Sequence, residues 1–155
     1  MENLNYNYND GGRAKYFKGK TGDCVTRAIA IASDMDYLEV YNSLMAETKD
    51  FRARKNTKTS RRIKSNSVRN GVFKDIYKPW LEKNGWTWVP LQSFGQKSRV
   101  KINELDKSRM IVSLPRHLTT IIDGVLHDTF DCRYSTNWDT GMEQIRSVVG
   151  YFYKK

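Results

Sequence analysis

The sequence feature that most constrains the fold is an Asp-Gly pair at positions 123–124, which lies between two short apolar stretches. Residues 117–122 and 125–130 are rich in β-branched and other apolar side chains, as β-strands usually are. An Asp-Gly pair between two such stretches is the strongest short-range signal for a two-residue hairpin turn. The sequence therefore predicts an antiparallel hairpin, and the turn determines which residues of its two strands lie opposite each other.

This register brings a histidine and a carboxylate to the same face of the hairpin. Counting back from the turn, Thr119 lies opposite Asp128, so that His117 and Asp128 become diagonal neighbours. Backbones in this relation are about 7 Å apart, a gap that two polar side chains can bridge. His127 points to the other face. A carboxylate beside an imidazole orients the ring and stabilises its protonated form. We expect Asp128 to have this role, with Asp131 as the reserve candidate.

A second chemical signal is a cysteine at the predicted start of a helix. The turn and cap residues 21–23 precede Cys24, and apolar residues then recur at the spacing of a buried helical stripe: Val25, Ala28, Ile29 and Ala32. The unpaired N–H groups and the dipole of a helix N-terminus favour the thiolate, which is the nucleophilic form of cysteine. A protonated His117 nearby would favour it too. The alternative is that Cys24 is a small buried residue of an ordinary core helix, the commoner role of a lone cysteine.

The rest of the chain predicts an α+β fold in one domain, residues 1–155. Apolar spacing predicts helices near 23–33, 36–48 and 71–83, packed on an antiparallel sheet built mainly from residues 86–153. The Asn-, Tyr- and Gly-rich residues 1–20 predict an irregular arm that leads into the cysteine helix.

The basic residues are concentrated in one segment. The net charge is +10, yet residues 51–74 contain nine Lys and Arg and no acidic residue, and 51–70 predicts a long exposed loop. Together with the tryptophans at 80, 86 and 88, this segment could bind nucleic acid or an acidic protein. The alternative is a solvated loop, with the tryptophans in the core. The candidate polyanion-binding residues are Arg52, Arg54, Lys55, Lys58, Arg61, Arg62 and Lys64.

Cysteine usage and the absence of a signal peptide or a membrane-spanning run favour a cytoplasmic protein, and we expect no cofactor. Two cysteines are too few for a disulfide scaffold, although a Cys24–Cys132 bridge remains open. The N-terminus has no signal-peptide pattern, and no apolar run is long enough to span a membrane. We expect no membrane partner. A zinc site is not indicated, because His117, His127 and the two cysteines lack a ligand spacing such as Cys-x-x-Cys.

The chain resembles papain-like cysteine peptidases. The resemblance rests on Gly22-Asp23-Cys24 opening an alanine-rich helix, on His117 in a later strand, and on the residues His127 to Asp131 that follow the hairpin turn. It is closest to small bacterial C39-type peptidases and to uncharacterised papain-like proteins of bacteriophages; for a phage-encoded protein, the location would be the cytoplasm of the host. The resemblance implies Cys24 as nucleophile, His117 as general base and acid, and Asp128 as the orienting acid, cleaving a peptide or isopeptide bond.

The chain departs from the family at one position. Papain-like peptidases usually carry a glutamine about six residues before the nucleophile that helps to bind the oxyanion, and Lys18 stands there in this chain. We therefore expect the backbone N–H of Cys24, with Lys18 as a candidate donor, to stabilise the oxyanion. Losing one donor lowers the rate by about 10²–10³. The alternative function is a weakly active or inactive papain-like module whose basic loop binds nucleic acid or an acidic protein.

Overall fold

The structure is a computed structural model that describes residues 4–19, 22–54, 57–63, 67–68, 71–92, 100–106 and 108–154. Within this part of the chain it is an α+β fold with four helices and a six-stranded sheet. The helices are α1 (Cys24–Ser33), α2 (Tyr37–Arg54), α3 (Lys58–Arg62) and α4 (Lys74–Lys83). The strands are β1 (Asn5–Tyr8), β2 (Trp86–Pro90), β3 (Met110–Leu114), β4 (His117–Ile122), β5 (Val125–Asp128), β6 (Tyr134–Thr136), β7 (Glu143–Ile145) and β8 (Gly150–Lys154). Single 3₁₀ turns cover Arg13–Lys15 and Ile102–Glu104.

The main sheet has the strand order β1-β5-β4-β3-β8-β2, and β6 and β7 form a separate two-stranded sheet. Within the main sheet every pair is antiparallel except β1 with β5, which is parallel. The sheet is therefore mixed, whereas the sequence predicted an antiparallel one. The difference comes from β1, because the strands within 86–154 do pair antiparallel.

Two apolar clusters cover the two faces of the sheet. Helices α1, α2 and α4 pack on one face, where they enclose Ile111, Leu118 and Phe152. The other face is covered by the turn at 102–105 and by the chain around Cys132, over side chains such as Ile121. Neighbouring residues of β3 and β4 therefore point into different clusters, as the alternation of a strand requires.

Four residues of the segment predicted as an irregular arm form strand β1. Asn5 to Tyr8 pair with Val125 to Asp128, and Leu4 is buried just before the strand. The alternating Asn and Tyr side chains of this edge strand are largely exposed, so no apolar pattern marks it. The prediction of an irregular arm over 1–20 was wrong for these four residues, because the strand is stabilised by pairing with a distant segment.

The predicted exposed loop at 51–70 is partly helical. Helix α2 continues to Arg54, stabilised by a bond of 2.7 Å from Arg54 Nε to Asp50 Oδ2 one turn earlier. Thr57 and Ser60 then form a reciprocal capping box that begins α3. The loop prediction was wrong at 51–54 and 58–62, because local side-chain bonds support these turns without an apolar stripe.

Candidate active site

Cys24 is the first residue of α1, as the sequence predicted. Buried Val25, Ala28 and Ile29 attach the helix to the sheet, and Thr120 Oγ1 donates a hydrogen bond of 2.7 Å to the carbonyl of Ala28. The helix is thereby fixed against β4, the strand that begins at His117. The Cys24 thiol is half-buried at the positive end of the helix, where an anion is stabilised.

Asp23 occupies the N-cap position but does not cap the helix. Its side chain is buried and makes no bond to the first-turn N–H groups. It accepts bonds from Arg13 Nη1 at 2.9 Å, from Tyr37 Oη at 2.5 Å and from Arg27 Nη1. The first-turn N–H groups beside Cys24 are consequently not occupied by this side chain.

The hairpin has the predicted register. Ile122 pairs with Val125, and Thr120 pairs with His127. Asp123 and Gly124 form the two-residue turn, both with positive φ, 49° and 81°, which is the backbone of a type I′ hairpin. The prediction that this turn aligns the two strands is confirmed.

This register joins His117 to Asp128. His117 Nε2 lies 2.6 Å from Asp128 Oδ2, the distance of a charge-assisted hydrogen bond. The other carboxylate oxygen accepts bonds from Thr129 N at 2.7 Å and from Arg27 Nη2 at 3.3 Å. Burial opposes ionisation of this carboxyl, but the hydrogen bond and charge of His117 outweigh it and lower the pKa of Asp128. Asp128 is therefore an ionised, fully engaged partner of the imidazole.

Asp131 and His127 lie apart from this pair. Asp131 accepts bonds from Arg133 Nε at 2.8 Å and from Arg133 Nη2 at 2.7 Å, so its carboxylate is directed to that guanidinium. His127 Nδ1 is 3.3 Å from Asn9 Nδ2, on the side facing the N-terminal segment. The structure thus brings Asp128, and not the reserve candidate, to His117.

The electrostatics of Cys24 and His117 are those of an ion pair. Burial opposes charge on both groups, but other interactions outweigh it: at Cys24 the hydrogen bond and charge of His117, and at His117 the hydrogen bonds to Asp128, Cys132 and Cys24 with the charge of Asp128. They lower the pKa of the Cys24 thiol and raise the pKa of His117 to about 11. Near neutral pH the His117 imidazole is therefore protonated, and its charge favours the thiolate form of Cys24.

Cys132 is a second thiol at the same imidazole. It is free, as is Cys24, and only 1% exposed, and its Sγ donates to Asp128 Oδ2 at 3.4 Å. Burial raises the pKa of the Cys132 thiol, and the negative charge of Asp128 adds to this effect. Cys132 therefore remains protonated. The open possibility of a Cys24–Cys132 disulfide is not realised in the structure.

The sequence reasoning missed Arg27, which connects the two halves of the site. This buried guanidinium pairs with Asp23 at the start of α1 and with Asp128 on β5. Arg13 also pairs with Asp23, giving a buried chain of alternating charges from the N-terminal segment to the Asp128 carboxylate. The available signal was an Asp and an Arg at i and i+4 inside an otherwise apolar helix.

The thiol and the imidazole both line a cleft of about 590 Å³. Its described walls include the start of α1, the start of α4 and the turn between β3 and β4. Phe130, 48% exposed, packs its ring 4.9 Å from the His117 ring. Lys18 is exposed and is not among the described residues that line the cleft. Cys24 is thus part of the wall of an open cleft.

Three potential metal ligands cluster at this site. Ligand atoms of His117, Asp128 and Cys132 lie within 4.8 Å of one another. The 2.6 Å contact between the first two is a direct hydrogen bond, and the Cys132 thiol donates to the same carboxylate oxygen. The three side chains therefore satisfy one another's hydrogen bonding.

The polyanion-binding candidates that the structure describes lie on two helices. Arg52 and Arg54 are in the last turn of α2, whereas Lys58, Arg61 and Arg62 belong to α3; Lys55 and Lys64 lie outside the described residues. The Arg62 guanidinium lies over the Phe73 ring, 5.5 Å from its centroid. The tryptophans at 80 and 86 are only 5% and 3% exposed, and Trp88 packs against the same core. Trp80 and Trp86 are therefore core residues, and Trp88 is partly buried against the same cluster. This agrees with the alternative interpretation, in which the tryptophans lie in the core and do not offer exposed surfaces for stacking on bases.

Comparisons of the chain with protein-family models, with curated proteins and with solved structures gave no significant match. The resemblance to papain-like peptidases therefore stays a prediction from the sequence. Among the described residues, no helix combines the length and apolar composition needed to cross a bilayer.

Proposed function

We propose that the protein is a papain-like cysteine hydrolase that cleaves a peptide or isopeptide bond with Cys24, His117 and Asp128. The observation that carries the proposal is the bond of 2.6 Å between His117 and Asp128, on an imidazole that also lowers the pKa of Cys24. This is the relation of nucleophile, base and orienting acid that thiol hydrolases need. A nucleophile helix packed on a sheet that carries the histidine further supports the papain-like interpretation.

The reaction proceeds in two acyl-transfer steps. The Cys24 thiolate attacks the substrate carbonyl carbon, forming an S–C bond and an oxyanion. The His117 imidazolium then donates its proton to the leaving amine as the C–N bond breaks, which leaves an acyl-enzyme. Water, deprotonated by the now neutral imidazole, attacks this thioester, and the acid is released with regeneration of the thiolate and imidazolium.

The oxyanion is stabilised chiefly by backbone N–H groups at the start of α1. These groups point out of the helix N-terminus, and the Asp23 side chain does not engage them. Lys18, the additional donor predicted from the sequence, is not among the described residues that line the cleft, so no side chain is assigned to this role. A second donor of this kind would contribute about 10²–10³ in rate.

Acyl transfer can be tested with p-nitrophenyl acetate, whose p-nitrophenolate leaving group requires no knowledge of the natural substrate. We expect a burst of p-nitrophenolate, an acetyl group on Cys24 by mass spectrometry, and its subsequent hydrolysis. His117→Ala is expected to lose the burst, whereas Asp131→Asn serves as the matched control and keeps it. Acetylation of Cys132 instead, or a Cys24 reaction no faster than that of N-acetylcysteine, would contradict the proposal.

A second candidate function is polyanion binding by the basic segment. Lys58, Arg61 and Arg62 are exposed on α3, and the described residues from 57 to 63 include no acidic side chain. Replacing these three residues with Gln should weaken binding to nucleic acid and reduce its salt dependence, without changing acetylation of Cys24. No salt-dependent binding of DNA or RNA by the wild type would remove this candidate.

A further inference from the structure

The cleft beside Cys24 is lined by two cationic side chains. Each stands at a backbone position where its residue type is unfavourable. The first is Arg116, next to the catalytic histidine in the two-residue turn between β3 and β4. Its φ is +61°, in the left-handed region where a type II turn normally has Gly or Asn. Arg146 Nη2 donates to the carbonyl of Pro115 at 3.0 Å and holds the turn in place.

The second cation is Lys74, which begins α4 and also lines the cleft. A positive charge at a helix N-terminus is repelled by the helix dipole. The Lys74 ammonium also lies 4.3 Å from the centre of the Trp88 ring, which holds it near the sheet. Burial and the charge of Lys78 lower the pKa of Lys74, which is a further sign that its position is electrostatically unfavourable.

Residues that violate local preferences tend to be found at functional sites, where they do something that the fold itself does not need. Here Lys74 and Arg116 both add positive charge to the lining of one cleft. The positive N-terminal ends of α1 and α4 lie at the same cleft. No acidic side chain is among the described residues that line it. The remaining lining is mostly apolar, with Val72, Phe73 and Leu114 as examples. An apolar cleft with two cations in its lining fits a peptide that has acidic residues beside apolar ones.

We infer that Lys74 and Arg116 select substrates whose peptide segment carries negative charge next to the bond that Cys24 attacks. This inference rests on the proposed function and names its substrate class. Arg116 acts from the turn adjoining His117, and Lys74 acts from the first turn of α4. An acidic side chain bound in this cleft would be attracted by both cations, whereas a basic one would be repelled.

The charge of the cleft can be measured with two small alkylating reagents. Iodoacetate is an anion and iodoacetamide is neutral, so the ratio of their rates at Cys24 reports the local potential, and the iodoacetamide rate corrects for thiol nucleophilicity. In the double variant Lys74→Gln with Arg116→Asn, we expect this ratio to fall by roughly three- to tenfold at low salt. The ratio for the wild type should also fall as salt is added.

Matched controls separate a functional effect from a structural one. Lys83→Gln removes the same charge from the other end of α4, away from the described lining of the cleft, and should leave the ratio unchanged. Arg116→Asn alone should not lower the thermal midpoint, because Asn tolerates the left-handed backbone of this turn. If Arg116→Asn lowers the iodoacetate-to-iodoacetamide rate ratio while the thermal midpoint is unchanged or higher, Arg116 acts in binding and not in stabilising the fold.

The outcomes distinguish this inference from the proposed function. If Cys24 reacts faster than N-acetylcysteine with iodoacetamide but the ratio is the same in wild type and double variant, the substrate class is wrong and the hydrolase proposal stands. If neither reagent reacts faster than with the free thiol, both fail. Protection of Cys24 by a glutamate-rich peptide supports the inference, whereas stronger protection by a single-stranded DNA oligonucleotide would overturn the choice of a peptide.

Discussion

Cys24 and Cys132 interact with the same imidazole, yet their surroundings move their pKa values in opposite directions. Cys24 begins a helix and lines a cleft. Burial raises the pKa of its thiol, but the hydrogen bond and charge of His117, with a smaller contribution from the Arg27 cation, outweigh burial and lower the pKa. Cys132 is buried and donates to the Asp128 carboxylate, so its pKa is raised. The comparison teaches that proximity to a histidine does not make a thiol reactive. The charges and solvent around each sulfur determine which one becomes the nucleophile.

The largest difference in turnover is expected between variants that lack one or the other thiol. Cys24→Ala should lower turnover of an ester or peptide substrate by about 10⁴-fold or more, because no other group can form the acyl-enzyme. Cys132→Ala should keep turnover within about tenfold, since the His117–Asp128 bond persists without the thiol. Steady-state rates of both variants, with folding checked by circular dichroism, provide the measurement. A larger loss from Cys132→Ala would invert the assignment.

The same contrast extends to the two carboxylates that follow the hairpin. Asp128→Asn should lower turnover by as much as ~10⁴-fold, because the amide no longer stabilises the imidazolium or its orientation. Asp131→Asn should have a mild effect, since it loses a bond to Arg133 and none to His117. Turnover and thermal unfolding are compared for the two variants. Equal or reversed losses in folded proteins would mean that Asp128 does not orient the histidine.

Arg27 contributes to the difference between the two thiols, because its charge favours an anion at Cys24 and its guanidinium also forms an ion pair with Asp128. Arg27→Met should lower the free energy of unfolding by about 3–5 kcal/mol, since it leaves Asp23 and Asp128 buried with fewer partners. Arg54→Met, which removes an exposed guanidinium from an ion pair on α2, is the control and should change stability little. Urea titrations measure both. Similar midpoints for the two variants would show that Arg27 does not connect the two halves of the site.

The hairpin and the start of the cysteine helix were predictable because both are local. A two-residue turn and the alternation of strand side chains were sufficient to bring His117 to Asp128. An apolar stripe after turn residues was sufficient to place Cys24 at the beginning of α1. These elements depend on neighbours in the sequence, and they include all three residues of the proposed triad.

The parts that were not predictable depend on distant segments. Strand β1 has no apolar pattern and forms by pairing with β5, which is more than a hundred residues away. The partners of Arg27 lie on α1 and on β5, so a sequence pattern shows at most its spacing from Asp23. The helical turns at 51–54 and 58–62 are stabilised by side-chain bonds, which composition alone does not reveal.

The most direct test of the account is the pH dependence of alkylation at each cysteine by neutral iodoacetamide, followed by mass spectrometry. The lowered pKa predicts that Cys24 reaches half its maximal rate below the ordinary thiol value of 9.0, and that Cys132 reacts slowly throughout. His117→Ala should move the Cys24 midpoint upward, because burial then acts without the opposing imidazolium. A Cys24 midpoint at or above 9.0 in the wild type, faster labelling of Cys132, or a disulfide between them in protein purified without oxidant would contradict the central claim.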